Sequence, residues 1–345
     1  MEYRKKIIFY IGFIFFTSIL CVVLLFSVEH ARYILRQKAL SGLQTNEEIR
    51  KNYEKQREKR KPLSLLFVGD IMLSRAIDKK IIEHADDARF PFLLSSEKIT
   101  QADIAMGNLE GPISENGSNQ GSIYSFRARP MVVGGLQYAG FDIVTLANNH
   151  MFDWGRRALL DTMHILTNAN ILYTGAGKDY VDANELKIIR KNGFVAGFLA
   201  YTNLYPPSLF ATQDKAGISE YNEEYIKKYI HQQKNSVDLL IVSLHWGEEY
   251  KTNSTDEQKR IAREFIDAGA DIIIGHHPHV PQEIEEYKGK WIAYSLGNFV
   301  FDQYFSKETM SGLALDVTCT KAHTCSAQPI HVELNKDFQP AFVGL

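Results

Sequence analysis

The chain has 345 residues, and 45% of them are hydrophobic, which is enough to build one large globular domain with additional segments. Its formal net charge is −2, but the first 62 residues carry 13 Lys and Arg against 6 Asp and Glu, so the rest carries 26 against 35. An acidic body of this kind argues against a nucleic-acid partner, which would require clustered positive charge.

An uncharged apolar run, IIFYIGFIFFTSILCVVLLFSV, occupies residues 7–28. As a helix it would be about 33 Å long, which is enough to cross a bilayer. The run is longer than the apolar core of a signal peptide, and no small-residue cleavage site follows it. We therefore predict a short basic N-terminus and an uncleaved transmembrane anchor over residues 1–28. Basic residues on both sides of the run leave its orientation open.

The segment that follows, residues 29–62, is charged and rich in helix formers. Thr45, with Glu48 three residues later, fits a capping box at the start of a helix. The segment is predicted to be a helical stalk or linker. A solvated charged run without regular structure is the alternative.

From residue 63 onward, short apolar runs alternate with amphipathic stretches. Several runs are hydrophobic throughout, as strands buried on both faces are. Helices are predicted between them at 155–168, 223–234 and 256–268. This alternation predicts an α/β sandwich domain over residues 63–303, followed by a β-rich extension over 304–345 that completes the sheet. The predicted strands lie in LSLLFVGD, ADIAMGNLE, FDIVTLANNH, GFVAGFLAYT, VDLLIVSLHWG, DIIIGHHPH and KWIAYSLGNF.

Two cysteines lie near the end of the chain, in DVTCTKAHTCSAQPIHVEL. The pattern predicts two strands around a short polar loop. Cys319 and Cys325 would face each other across that loop. They form either a disulfide, which suits an extracellular location, or two free thiols.

Side chains suited to metal binding follow the ends of several predicted strands. Ligands gather at such strand ends in α/β folds, because the loops there vary while the strands hold them. Carboxylate, amide and imidazole groups are the donors that divalent metals need, and a metal pair needs a bridging carboxylate. The residues are Asp70 in FVGD, Asn108 and Glu110 in GNLE, Asn148, Asn149 and His150 in LANNH, His245 in SLHWG, and the histidines of GHHPH.

The stretch GHHPH contains His276, His277 and His279. Pro278 disfavours a helical backbone at His277 and is expected to extend it. Residues two apart in an extended chain share a face, so His277 and His279 are predicted to be a ligand pair. His276 would point away unless a turn intervenes, and we assign it a supporting role.

Three further polar residues each have two interpretations. Arg75 in DIMLSR can reach an anionic substrate or make a surface salt bridge. Asp153 can orient His150 or cap the helix that follows. Asn298 in SLGNF can line the site or make a turn.

These motifs, in this order, resemble the CapA family of poly-γ-glutamate capsule biosynthesis proteins, which look like members of the calcineurin-like metallophosphatase superfamily. The resemblance covers about residues 63–302 and rests on GDIMLSR, GNLEGPIS, AGFDIVTLANNHMFDWG, LHWGEEY, AGADIIIGHHPHVPQ and YSLGNFVFDQ. It implies a four-layer α/β/β/α sandwich with two divalent metals (Mn, Zn, Fe or Mg) at one sheet edge. Water activated by the metals would be the nucleophile. By this resemblance Asp70 and His279 hold one metal, Asn149, His245 and His277 hold the other, Glu110 bridges them, and His150 is the acid. From their places in the sequence, His276, Asn108 and Asn298 are predicted to line the substrate site or support the ligands.

One position departs from the superfamily pattern. Its first motif often reads Asp-x-His, whereas the third position here is Met72 in GDIM. A thioether is a poor ligand for hard metals, so the first metal would lose an imidazole. Glu110, where the superfamily usually has Asp, also lengthens the bridging arm. Both changes bear on whether the site turns over a substrate.

The resemblance is compatible with three functions. The first is a membrane-anchored, metal-dependent hydrolase or transferase on the extracellular side, acting on the anionic polymer poly-γ-glutamate or its precursor. The second is a non-catalytic accessory subunit that organises a membrane-bound polymer synthase and exporter. The third is a general metallophosphoesterase. In the first two, the partners are the membrane, the polymer and other membrane subunits.

Overall fold

The computed structural model describes residues 60–344. The predicted anchor over residues 1–28 and residues 29–59 of the predicted stalk lie outside the described part. Within residues 60–344, none of the helices combines the length and the apolar character that a membrane span requires. The described chain is a mixed α/β structure, as the alternating sequence pattern predicts.

Strands and helices alternate along residues 60–344, joined by short 3-10 helices at Phe90–Phe92, Pro130–Val132 and Pro207–Leu209. The strands are β1 (Leu63–Ile71), β2 (Ile104–Leu109), β3 (Ile143–Thr145), β4 (Leu172–Thr174), β5 (Ala176–Gly177), β6 (Lys187–Lys191), β7 (Phe194–Thr202), β8 (Gly217–Ile218), β9 (Leu239–His245), β10 (Ile272–His276), β11 (Ile284–Tyr287), β12 (Lys290–Ala293), β13 (Asn298–Val300), β14 (Ser311–Lys321), β15 (Thr324–Leu334) and β16 (Pro340–Val343). The α-helices are α1 (Arg75–Glu83), α2 (Ser96–Gln101), α3 (Val133–Ala139), α4 (Gly155–Asn168), α5 (Tyr180–Asn184), α6 (Glu223–Gln233) and α7 (Asp256–Ala268).

The strands form two large sheets. The first has the order β16-β15-β14-β1-β2-β3-β4, with β13 also paired to β1, and the second has the order β11-β12-β10-β9-β7-β6. Strands β1 to β4 run parallel to one another, and so do β7, β9, β10 and β12. The C-terminal strands β14, β15 and β16 are antiparallel and extend the first sheet beyond β1.

Three hydrophobic clusters hold these layers together. Phe67 of β1 and Ile241 of β9 belong to one cluster, which fills the space between the two sheets. Leu66, the neighbour of Phe67, points the other way and packs with Leu159 of α4 on the outer face of the first sheet. Phe265 of α7 packs on the outer face of the second sheet. Strand β1 is therefore buried on both faces, as its continuous apolar sequence predicts.

The predicted helices agree closely with the structure. α4 and α7 have the predicted bounds, and α6 ends one residue earlier than predicted. The start of α7 is fixed by a capping box, in which Thr255 Oγ1 accepts from the Gln258 N–H at 3.1 Å and the Gln258 side chain accepts from the Thr255 N–H at 2.9 Å.

The prediction of a single strand in KWIAYSLGNF is wrong. That stretch contains two strands, β12 and β13, which belong to different sheets. The chain turns between them at Gly297, whose φ of 66° is a left-handed conformation that suits glycine. Apolar periodicity does not reveal this break, because the residues from Ile292 to Phe299 are buried without interruption.

A second glycine, Gly69, allows the turn before β13 to approach β1. A Cβ atom at Gly69 would lie 1.9 Å from the carbonyl oxygen of Gly297, closer than any side chain allows. With glycine at this position, β1 and β13 pair so that Asp70 lies beside Asn298. This close approach brings two predicted site residues together.

Cys319 and Cys325 form a disulfide between β14 and β15. The two residues lie opposite each other in the antiparallel ladder, as expected from the two-strand pattern in the sequence. The bond closes a short loop with a sequence separation of 6 residues.

Replacing both cysteines, Cys319→Ser with Cys325→Ser, is expected to lower the free energy of unfolding by about 2 kcal/mol, because the open hairpin gains chain entropy in the unfolded state. Urea denaturation of the full chain in detergent measures the change. A reducing agent should produce the same loss in the wild-type protein and no further loss in the double variant. Identical unfolding of the wild type with and without reductant would contradict the prediction.

Candidate metal centre

The carboxyl ends of strands from both sheets meet at one edge and bring most of the predicted ligands together. Asp70 lies near the end of β1, Glu110 directly follows β2, and His245 and His276 end β9 and β10. These four side chains are almost completely buried. The parallel strands place polar groups at this edge because their carboxyl ends all point to it.

Asp70 lies at the centre of the cluster. Its Oδ1 accepts a hydrogen bond from Asn108 Nδ2 at 2.8 Å and lies 3.2 Å from His276 Nδ1. Its Oδ2 lies 3.4 Å from His279 Nδ1 and accepts from the backbone N–H of His277, also at 3.4 Å. All three histidines of the GHHPH stretch therefore contact this one carboxylate.

The backbone of the histidine stretch is a turn, so the prediction of an extended His277 is wrong. His277 has a φ of 99° and His279 a φ of 58°, both outside the range that most side chains adopt. The turn is hydrogen-bonded to the loop after β9, where the Trp246 N–H donates to the His276 carbonyl at 3.1 Å and the Tyr250 N–H to the Pro278 carbonyl at 2.8 Å. Tertiary hydrogen bonds thus override the local preference of a residue before proline.

Because the turn intervenes, His276 does not point away from the site. Its side chain is fully buried with Nδ1 beside Asp70. His277 and His279 still face the same cluster, with ring centroids 5.9 Å apart. The condition stated for His276, that it points away unless a turn intervenes, is met by this turn, and His276 faces the cluster.

A second group of donors lies next to this one. His245 Nε2 is 2.7 Å from Asn149 Oδ1, and the His245 ring centroid is 4.9 Å from that of His277. Asn149, His245 and His277 are the three residues that the family resemblance assigns to one metal. The structure places them side by side.

Two buried asparagines hold the side chains of the cluster in place through hydrogen bonds. Asn108 Nδ2 contacts Asp70, Glu110 Oε2 at 3.2 Å and His245 Nδ1 at 3.4 Å. Asn148 donates to Asn108 Oδ1 at 3.0 Å and accepts from the backbone N–H of His150 at 3.2 Å. Both side chains are fully buried and orient their neighbours.

His150 is held by Asp153. His150 Nδ1 lies 2.8 Å from Asp153 Oδ2, which also accepts from the Phe126 N–H at 2.8 Å. Asp153 does not cap α4, since the N-cap residue is Trp154. Of its two interpretations, the structure supports the one in which Asp153 orients His150. The other ring nitrogen, Nε2, lies 3.8 Å from Glu110 Oε1.

Asn298 fixes the orientation of His279. Its Oδ1 lies 3.0 Å from His279 Nδ1, and its Nδ2 donates to Gln303 Oε1 at 3.1 Å and to the Thr309 carbonyl at 2.9 Å. With both ends of the amide occupied, the Asn298 oxygen is the group that faces His279. His279 Nε2 then faces Glu110 Oε1, at 3.6 Å.

Arg75 lies at the mouth of the site, where a cavity of about 290 Å³ opens beside the cluster. Its Nε and Nη2 donate to the Asp302 carboxylate at 3.1 and 2.6 Å, and its guanidinium lies 5.2 Å from the centre of the Phe126 ring. The ion pair is not an ordinary surface pair, because the Asp302 side chain is only 4% exposed. The cavity is lined by Arg75, Tyr124, Phe126, His150, Glu249, Tyr250, His279, Asp302, Gln303, Tyr304 and Phe305.

Burial and charge shift the two central carboxylates in opposite directions. Burial alone would raise the pKa of Asp70, but its interactions with His276 and His279 lower that pKa well below its ordinary value. Burial raises the pKa of Glu110 well above its ordinary value, and nearby Asp70 adds to this shift against the opposing effect of His279. Two carboxylates so close together repel each other when both are ionised, so the doubly ionised form is unfavourable without added positive charge.

The pKa values of the histidines are also shifted in opposite directions. Burial lowers the pKa of His277 to about 3, and burial together with His277 lowers the pKa of His245 well below its ordinary value. Burial opposes the charged form of His279 as well, but Glu110 and Asp70 raise its pKa to about 9. His245 and His277 are therefore held neutral, which is the form that binds metals.

The donor set fits divalent metals. Glu110 Oε1, His276 Nε2 and His277 Nδ1 are buried without a hydrogen-bond partner among residues 60–344. Such atoms are rare in native proteins and often mark an ion that belongs there. Asp70, Glu110 and His279 each offer a donor atom within 4.8 Å of the others, and so do Glu249, His277 and His279.

Met72 contributes no donor to this set. Its sulfur accepts hydrogen bonds from the N–H and the hydroxyl of Ser74, at 3.2 and 3.1 Å, and its side chain packs in the core outside the first sheet. The departure from Asp-x-His therefore removes a ligand without replacing it at that position.

Two acidic residues of the site were not identified from the sequence. Both lie in stretches that carry the family resemblance, Glu249 in LHWGEEY and Asp302 in YSLGNFVFDQ. Their roles depend on long-range contacts, such as the pairing of Asp302 with Arg75 across 227 positions of the chain, which local patterns do not report.

Replacing Asn298 by alanine is expected to weaken divalent-metal binding by about 10- to 100-fold, because His279 loses the hydrogen bond that orients its ring. Equilibrium dialysis of the full chain against buffered manganese or zinc measures the affinity. Asn253→Ala is the matched control, since Asn253 is exposed and its side chain makes no hydrogen bond within residues 60–344. Equal affinities of the two variants would contradict the role given to Asn298.

The region that carries the cluster is similar to known proteins. Residues 64–303 match the family model described as bacterial capsule synthesis protein PGA_cap. The capsule biosynthesis protein CapA of Bacillus anthracis is 33% identical over 302 residues, which cover 82% of this chain and 73% of that protein. The PGA biosynthesis protein CapA of Bacillus subtilis (strain 168) is 35% identical over 255 residues, which cover 73% of this chain and 66% of that protein.

Among solved structures, a novel phosphatase from Mycoplasma pneumoniae is 15% identical, with a TM-score of 0.47, covering 79% of this chain and 94% of that chain. A score at this level is a partial likeness and says nothing about activity. The match to the family model spans the strands and loops that carry the cluster. The chain belongs to the PGA_cap family of bacterial capsule synthesis proteins.

Proposed function

We propose that this protein acts in the synthesis or export of a poly-γ-glutamate capsule, as a divalent-metal-dependent hydrolase or transferase. The observation that carries the proposal is the buried cluster, whose unpartnered carboxylate and imidazole atoms fit metal binding. Membership of the family supports a role in capsule synthesis. The relative named a PGA biosynthesis protein supports poly-γ-glutamate as the polymer.

The proposed centre has two groups of donors. Divalent cations held there would supply Lewis acidity and lower the pKa of a water molecule, so that hydrolysis or transfer becomes possible at neutral pH. Asp70, Glu110 and His279 offer donors for one cation. Asn149, His245 and His277, which lie side by side, offer donors for a second.

His150 is proposed to move a proton. It lines the cavity, and Asp153 holds its Nδ1 in place, so that Nε2 remains free to give a proton to a leaving group or to bind the charge that develops there. Its ring also stacks near Phe126, at a centroid distance of 4.1 Å, which limits its rotation. Asp153 acts through His150 and is therefore a positioning residue.

Arg75 is proposed to bind an anionic part of the substrate. Asp302 occupies Nε and Nη2, while Nη1 makes no hydrogen bond within the described residues and borders the cavity. The bidentate pair fixes the guanidinium plane before any ligand arrives. This arrangement offers local positive charge for a polyanion on a body that is acidic overall.

The proposal extends to fold type and location. The order of helix layer, sheet, sheet and helix layer, with donors at one sheet edge, supports a metallophosphatase-type sandwich. The apolar run of residues 7–28 and the disulfide support a single-pass protein of the cell membrane with its domain outside. The proposed partners are the membrane, the polymer and the membrane subunits that make or export it.

Asp70→Ala and His245→Ala are each expected to abolish polymer production in cells that depend on this chain, because each removes a donor of the proposed centre. Secreted polymer is measured after acid hydrolysis as free glutamate. Asp267→Ala is the control, since Asp267 is an exposed residue paired with Lys288. Normal polymer from both site variants would refute the catalytic proposal and leave the accessory role, to which Met72 already points.

His150→Ala is expected to lower the rate of polymer formation by about 100-fold or more while the metal content of the protein stays unchanged. The combination separates proton transfer from metal binding, because His150 belongs to neither donor group. Rate and metal content are measured on the same preparation. His164→Ala, on the exposed face of α4, should leave both unchanged. A parallel loss of metal in His150→Ala would show that His150 is a ligand instead.

A further inference from the structure

The loop after β9 brings an additional carboxylate to the cluster. Glu249 lies between two backbone hydrogen bonds that join this loop to the histidine turn, one from the Trp246 N–H and one from the Tyr250 N–H. Tyr250 has a φ of 62°, so the loop is held in a conformation that most residues avoid. The position of Glu249 beside the turn is therefore set by the backbone.

The Glu249 carboxylate faces two imidazoles. One of its oxygens, one ring nitrogen of His277 and one of His279 all lie within 4.8 Å of one another. Carboxylate and imidazole groups together form common ligand sets for zinc, manganese and iron in proteins. His279 belongs to one of the two proposed donor groups and His277 to the other, so Glu249 lies within reach of a cation in either group.

A second observation also indicates a ligand at this place. His277 is 93% buried, with an exposure of 7%, and its Nδ1 has no hydrogen-bond partner within residues 60–344. Leaving such an atom unpaired is costly, and a cation would remove the cost. Glu249 itself forms no ion pair with any Lys or Arg of residues 60–344, so imidazoles are the groups that it faces.

Met72 leaves the cluster short of one ligand, which Glu249 can supply. The Met72 sulfur accepts hydrogen bonds from Ser74 and does not face the cluster as a donor, so the cluster has one imidazole fewer than the pattern it resembles. We propose that Glu249 is a further metal ligand, acting with His277 and His279 from the cavity side of the centre. This inference rests on the metal centre proposed above. It makes the exposed Glu249, which lines the cavity, the outermost ligand.

Titration of the metal-free full chain with Co²⁺ in detergent tests the inference. Glu249→Gln removes the charge and keeps the size of the side chain, and we expect it to weaken at least one cobalt site about 10-fold or more and to change the visible ligand-field spectrum of the bound cobalt. Glu248→Gln is the matched control, because Glu248 is the adjacent exposed glutamate and does not line this cavity. It should reproduce the wild-type affinity and spectrum.

The outcomes separate this inference from the proposed function. If the wild type binds cobalt and Glu249→Gln has the same affinity and spectrum, Glu249 is not a ligand and the metal centre stands without it. If the wild type binds no cobalt, both the centre and this inference are wrong. Since Glu249 is exposed, its replacement should not change the unfolding temperature of the metal-free protein. A weaker, spectrally altered cobalt site in a variant of unchanged stability supports ligation.

Discussion

The buried carboxylate of Asp70 is the constraint on which the rest of the site depends. It has no exposure to solvent, and three histidine residues and an asparagine surround it. A charge in such a position is stable only if its environment compensates it. The second buried carboxylate, Glu110, receives less compensation, as its raised pKa shows. A cation beside Glu110 would favour its ionised form, in agreement with the donor types of the cluster.

The fold supplies this environment by bringing two sheets together at their carboxyl ends. Strand β1 contributes Asp70, strand β2 is followed by Glu110, and β10 from the other sheet runs into the histidine turn. Close backbone packing at Gly69 and Gly297 leaves room for Asp70 and Asn298 to lie side by side. The hydrophobic cluster between the sheets holds these strands, and with them the donors at their ends, in place.

The cavity beside the centre is built from loops far apart in the sequence. Asp302, in the segment after β13, holds the side chain of Arg75 on one wall of the cavity. The loop that follows β9 places Glu249 and Tyr250 on another wall. The rim also carries exposed aromatic side chains, among them Tyr304 and Phe305. The chain thus combines a rigid base at the strand ends with a partly aromatic entrance formed by loops, and the entrance is where selectivity for a substrate would arise.

Sequence periodicity by itself determined the α/β class, the bounds of α4 and α7, and the strands that end in polar residues, because burial on both faces and helix capping leave local signals. Motif order identified the family, and the donor types at strand ends pointed to metals. The turn at His277, the inward position of His276, the pairing of Arg75 with Asp302 and the approach of Glu249 were decided only by tertiary structure. Each depends on contacts between segments distant in the chain, and local backbone preferences carry no record of such contacts.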